Sequence, residues 1–131
     1  LNTKLPFLDE YNKAQQNAAR KYSLAFEGHK NIIAPSICEI CDCHVFHQYT
    51  LRIIDADRNG LMQHLLDKGI PCAIYYPIPL HSQKAYTDNR YKEEDFPITN
   101  KLVNEVLSLP MHTELDDEQI KFITDAVLEY L

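Results

Sequence analysis

The sequence is poor in glycine, with only 3 in 131 residues, and it has no surplus of positive charge, its formal net charge being -6. The first shortage excludes a collagen-like chain, and 45% hydrophobic against 24% charged residues excludes a disordered one. The second argues against a binder of nucleic-acid backbones, which needs Lys and Arg in excess to displace counterions. A small anionic ligand stays open, because a few local donors can outweigh the overall sign. No apolar run approaches the ~20 residues that span a bilayer, and the opening "LNTKLPFLDEYN" lacks the charged, apolar and cleavage regions of a signal peptide. A cytoplasmic protein without membrane or nucleic-acid partners is the expectation.

Several catalytic signatures are also missing. There is no G-x-G-x-x-G, no Walker loop, no G-x-S-x-G and no H-E-x-x-H. Dinucleotide binding, nucleotide hydrolysis, serine nucleophiles and zinc-protease chemistry therefore lack their usual marks. Four cysteines in a chain without a secretory signal favour reduced thiols over disulfides.

What is present is enough for one domain over residues 1–131, burying on the order of two thirds of its unfolded surface. Phe7, Leu8, Tyr11, Ala14, Ala18, Tyr22, Ala25 and Phe26 recur every three or four positions before Gly28, which predicts one long leading helix within residues 1–28. Residues 44–54 are β-branched and aromatic and read as a strand. Asp57 caps a helix that Gly69 ends, and "IPCAIYYP" reads as a second strand. The stretch from Pro77 to Pro97 is a long polar excursion of the kind that carries function. A short helix around Ile98–Val106, a brief strand in "VLSLP" and a last helix from Asp116 or Asp117 complete the chain. The fold class is α/β, an α+β sandwich in which helices pack on a small mixed or antiparallel sheet of three to four strands.

Two local features invite chemistry. In "ICEICDCHVFHQYTLRI", Cys38, Cys41 and Cys43 precede His44 and His47. Zinc needs about four converging ligands, yet on a strand Cys43 and His47 would stand about 13 Å apart at ~3.3 Å per residue. A zinc or ligand module built on Cys38, Cys41 and Cys43 is thus one reading, and a cysteine turn leading into a strand is the other. On the same strand Val45, His47, Tyr49 and Leu51 share a face, so His47 and Tyr49 form either a hydrogen-bonding surface or a satisfied piece of core. In "YYPIPLH", Pro77 and Pro79 hold the chain extended and can present Tyr76 and His81 to a polar ligand, or merely lead the chain out of the sheet.

The motifs "HVFHQYTLRI", "DRNGLMQHLLDKGIPCAIYYPIPLH" and "FPITNKLVNEVLSLPMHTELDDEQI", with the leading helix "LDEYNKAQQNAARKYSLAF", resemble in order and wording the C-terminal part of the DegT/DnrJ/StrS-type sugar aminotransferases. The resemblance implies the small C-terminal domain of a fold-type I enzyme. Its pyridoxal phosphate would sit on a lysine of an N-terminal domain, and the whole enzyme would be a homodimer that moves an amino group from glutamate or glutamine to a nucleotide-linked keto-sugar. Surface polysaccharide synthesis is the setting implied. None of the nine lysines lies in that family's cofactor motif, so these 131 residues alone would hold no cofactor and be inactive. His47, Tyr49, Tyr76 and His81 become substrate contacts by the same resemblance. Asn59 and Asn100 depart from its common pattern, and a non-catalytic interaction domain is the further alternative.

Overall fold

The computed structural model describes residues 2–36 and 43–131. Helix α1 (Leu8–Ala25) is followed by strand β1 (Ile32–Ile33), strand β2 (Tyr49–Ile53), helix α2 (Arg58–Asp67), helix α3 (Pro97–Glu105), strand β3 (Val106–Leu109) and helix α4 (Asp117–Tyr130). The sheet is antiparallel in the order β1-β2-β3, with Ile32 opposite Ile53 and Leu51 opposite Leu107. The predicted sandwich is thus the one observed, and its core lies between one sheet face and α1, α2 and α4.

Alternation decides that face. Tyr49, Leu51 and Ile53 are buried beside Leu107 and Leu109, whereas Thr50 and Arg52 point the other way. On that second face Thr50 and Ser108, directly opposite, share a hydroxyl hydrogen bond of 2.8 Å, and Arg52 donates from both Nε and Nη2 to Glu105 at 3.0 and 2.8 Å.

Three expectations need correction. The strand predicted over residues 44–54 forms only from Tyr49, because Phe46 takes a positive φ of 47° and its N–H donates to the ring Nδ1 of His44. "IPCAIYYP" is no strand: only Ala73 pairs, exchanging bonds of 3.1 and 2.8 Å with Ser108, since the flanking Pro71 and Pro77 have no N–H to extend a ladder. The third strand is instead Ile32–Ile33, whose two residues are too few to show any period. Cys38 and Cys41 lie outside the described residues; Cys43 is disulfide-bonded, contrary to the reduced thiols expected from composition.

The helix ends follow their local chemistry. Asp57 accepts from the N–H of Gly60 at 2.9 Å to open α2. Gly69, at φ 76°, closes α2: its N–H reaches the Leu66 carbonyl, the Ile70 N–H reaches that of Leu65, and buried Ile70 covers the end. Asp116 and Gln119 cap α4 reciprocally, at 2.7 and 3.1 Å.

Tyr22 and Tyr49 meet at the centre, ring centroids 4.9 Å apart, and neither has exposed surface. Tyr22 donates to the Pro110 carbonyl at 3.0 Å, and the Tyr49 hydroxyl bonds that of Ser23 at 2.9 Å. Burial, helped by the neighbouring Tyr49, pushes the Tyr22 phenol well above its ordinary value, and burial raises Tyr49 against the opposing Ser23 bond. The folded state therefore holds these protons more tightly than the unfolded chain does. Their contribution to stability is complete below pH ~10 and is lost as pH rises through the raised folded values. Urea midpoints should fall above pH ~10, with Tyr22→Phe showing a smaller fall; a flat profile would refute this.

Gly69→Ala should cost about 1 kcal/mol in the same unfolding measurement. Nothing lies within 4 Å of the added methyl, so the cost is conformational rather than steric.

Candidate functional site

The substrate-facing candidates occur where β2, the end of β3 and the Pro77–Pro97 excursion meet. His47, in the bend before β2, is exposed and lines a cavity of about 320 Å³ with Gln48, Cys72, Tyr75, Ser108 and Met111. Tyr75 is also a wall of a second cavity, about 600 Å³, which Tyr76 shares with Ile78, Leu80, Thr99 and Val103. Leu80 and Thr99 continue into a third, about 470 Å³, holding His81, Tyr86, Asp88, Tyr91 and Phe96. Neighbouring cavities share wall residues, Tyr75 between the first two and Leu80 and Thr99 between the last two, and the run of surface they make, here called the groove, carries His47, Tyr76 and His81 in chain order.

Tyr49 is placed differently. It has no exposed surface, and its hydroxyl is held by Ser23. Of the two roles open to it in the sequence, the structure gives it the core one.

The excursion is built from short 3-10 turns at Leu80–Ser82, Lys84–Tyr86 and Glu93–Asp95, as its prolines and polar residues predict. His81 lies flat on Phe96, centroids 4.3 Å apart and planes 19° from parallel, and its Nε2 is 3.0 Å from Oδ1 of Asn100. Asn100 in turn donates from Nδ2 to the Glu93 carbonyl at 2.7 Å. Beside them Arg90 grips both oxygens of Asp88, at 2.6 to 3.1 Å, and holds that carboxyl below the usual carboxylate range. Tyr86, Asp88 and Tyr91 were not singled out from the sequence, where the only signal was the aromatic content of a segment otherwise read as a loop, and Asn100 stood out there only as a departure from the family's common pattern.

Burial pushes the Cys72 thiol up, and its Sγ lies 3.7 Å from the Met62 carbonyl. At neutral pH it is a small half-buried wall rather than a nucleophile. Among the described residues no group of three or more His, Cys, Asp or Glu could hold a metal ion. No helix among them is long and apolar enough to cross a membrane.

Residues 1–128 match the sequence profile of the DegT/DnrJ/EryC1/StrS aminotransferases. The chain belongs to the DegT/DnrJ/EryC1/StrS aminotransferase family. The "Pleiotropic regulatory protein" of Geobacillus stearothermophilus is 34% identical over 131 residues, covering 99% of this chain and 35% of its own length. The "dTDP-3-amino-3,6-dideoxy-alpha-D-galactopyranose transaminase" of Aneurinibacillus thermoaerophilus is 33% identical over 132 residues, 99% of this chain and 34% of that protein. The solved structure of S. venezuelae DesV in complex with a ketimine intermediate superposes with a TM-score of 0.89 at 30% identity, over 98% of this chain and 34% of that one. The chain thus spans about a third of the length of these DegT/DnrJ/EryC1/StrS relatives.

The family's cofactor, pyridoxal phosphate, is anchored through a lysine. All nine lysines here are exposed, and none lines the three cavities of the groove. Lys21, Lys68, Lys101 and Lys121 are in addition paired with carboxylates. These residues do not fit the group, and no step through it is assigned to them.

Alkylation of Cys72, followed by mass mapping against pH, should reach half its maximal rate at higher pH than a free thiol would, near 8.5. A midpoint at or below that value would contradict the upward shift that partial burial gives the thiol.

Proposed function

We propose that this chain is the C-terminal domain of a longer aminotransferase, one that uses pyridoxal phosphate to move an amino group from glutamate or glutamine to a keto-sugar carried on a nucleoside diphosphate. The observation that carries the proposal is the family match over residues 1–128 by a chain only about a third as long as its relatives. The lysine-free cavities fit a division of labour in which the rest of the protein holds the cofactor and this domain contributes part of the sugar nucleotide's wall. His47, Tyr76 and His81 are its contacts along the groove, while Tyr49 supports the strand behind them. Their roles are recognition and orientation.

Leu5, Phe7, Leu8 and Tyr11 are exposed at the start of the chain although they follow the helical period, so the first half of α1 has an apolar face without a partner among the described residues. That face suits the remainder of the same polypeptide better than water. A homodimeric whole enzyme completes the proposal.

The test is the intact mass of the protein from the cells that make it, with assay of released pyridoxal phosphate. A chain about three times this length carrying the cofactor is expected; a mass of 15.2 kDa would overturn the reading. In the longer enzyme His81→Ala should raise KM for the nucleotide sugar about tenfold, the loss of roughly one good hydrogen bond, with a smaller change in kcat. An unchanged KM would remove His81 from the contacts.

A further inference from the structure

Asn100 joins two groups whose chemistry fixes its own orientation. The Glu93 carbonyl 2.7 Å from its side chain can only accept, so the amide nitrogen must lie there and the amide oxygen must face His81. An amide oxygen is itself only an acceptor, so Nε2 of His81, 3.0 Å away, carries a proton. With Phe96 covering one ring face, Nδ1 is the polar atom of His81 that has no hydrogen bond among the described residues. In the neutral ring that atom is an acceptor.

The rest of the third cavity joins polar groups to aromatic faces. Asp88 contributes a carboxylate whose two oxygens already accept from Arg90; Thr99, Tyr86 and Tyr91 contribute hydroxyls that accept or donate, and Tyr86, Tyr91 and Phe96 contribute ring surface. An acceptor nitrogen and hydroxyl groups beside aromatic faces suit a ligand that carries hydroxyls on an apolar ring frame. A phosphate finds less there, because Arg90, the guanidinium beside the cavity, is already paired with Asp88.

We propose that Asn100 is a positioning residue that holds His81 as its Nε2–H tautomer, so that Nδ1 accepts from a sugar hydroxyl seated in the cavity walled by Tyr86, Asp88, Tyr91 and Phe96. The ligand half of this proposal rests on the sugar-nucleotide reading above; the positioning half does not. Asn100 has a structural task as well, since its side chain holds the Glu93 carbonyl, and its own carbonyl accepts from Asn104 at 2.8 Å. The variants must separate the two tasks. Asn100→Asp keeps an acceptor for His81 and loses the donor to Glu93, whereas Asn100→Ala loses both.

The experiment is nitrogen NMR of the full-length protein labelled with 15N-histidine. The wild type should show a slowly exchanging Nε2–H for His81, lost in Asn100→Ala and restored in Asn100→Asp. An Nδ1–H tautomer in the wild type, an unchanged signal in Asn100→Ala, or equal loss in both variants would overturn the positioning role. UDP-glucose should then shift the Nδ1 resonance, and inorganic phosphate at the same concentration should not. A shift with phosphate would overturn the hydroxyl assignment. No shift with either probe, with the Nε2–H pattern intact, would overturn the ligand half and leave the positioning role supported.

Discussion

The buried contact between Tyr22 and Tyr49 is the constraint on which the rest of the domain depends. Two phenols without exposed surface at the centre of a small core would be costly if either hydroxyl were left without a partner, by about 1 to 3 kcal/mol each. Both are satisfied, and the partners lie on different elements: Ser23 on α1, and the Pro110 carbonyl just past β3. One contact thus fixes the rotation of α1, its height over β2 and the point where β3 leaves the sheet. Pro110 is itself a wall of the cavity beside His47, so the mouth of the groove is set from inside the core.

Arg58 does the corresponding work at the other end. Buried at the first position of α2, it donates to the carbonyls of Val103 and Val106 at 3.2 and 2.7 Å, where α3 gives way to β3. Those carbonyls belong to a helix end that has few partners of its own. By filling them, Arg58 fixes α3 against α2. Leu102 and Val103 of α3 form part of the middle cavity, so the side of the groove opposite His47 also depends on a bond made well away from it.

The elements legible in the sequence were those with a local cause. Periodicity and Gly69 marked the helices, Asp57 and Asp116 marked their starts, and the alternation of Tyr49, Leu51 and Ile53 gave the central strand its buried face. Less legible was whatever depended on tertiary pairing. Ile32–Ile33 becomes a strand only because Ile53 and Arg52 lie beside it. The composition of "IPCAIYYP" suits a strand, yet only Ala73 finds a ladder partner, because proline at each end withholds the N–H groups that a longer ladder would use. The same limit applied to the site. His47, Tyr76 and His81 could be picked out as residue types on rigid or extended backbone, but nothing local shows that Asn100, nineteen positions after His81, turns back to hold it. Nor could alternation alone tell that Tyr49 belongs to the core while His47 does not. That difference arises because His47 and Gln48 form a bend and the ladder begins only at Tyr49, so the strand's alternation does not reach back to His47.

The two halves of the domain meet opposite physical demands. The sheet and its helices bury their apolar groups and satisfy the polar ones, which yields a single arrangement. The groove is made from a segment that buries little and leaves Tyr76 74%, Leu80 61% and Tyr91 54% exposed. Such a segment cannot be held by hydrophobic burial, so its order must come from polar and ring contacts: proline-fixed backbone, the His81–Phe96 stack, the Arg90–Asp88 pair and the Asn100 bridge. Each of these is weak by itself and at most partly shielded from solvent. A surface held this way keeps aromatic faces and acceptors open without collapsing onto them, and it can tighten when another surface or a ligand excludes water from those contacts. The core supplies the stability of the domain, and the groove draws on that stability to keep open a surface that it could not hold by its own burial.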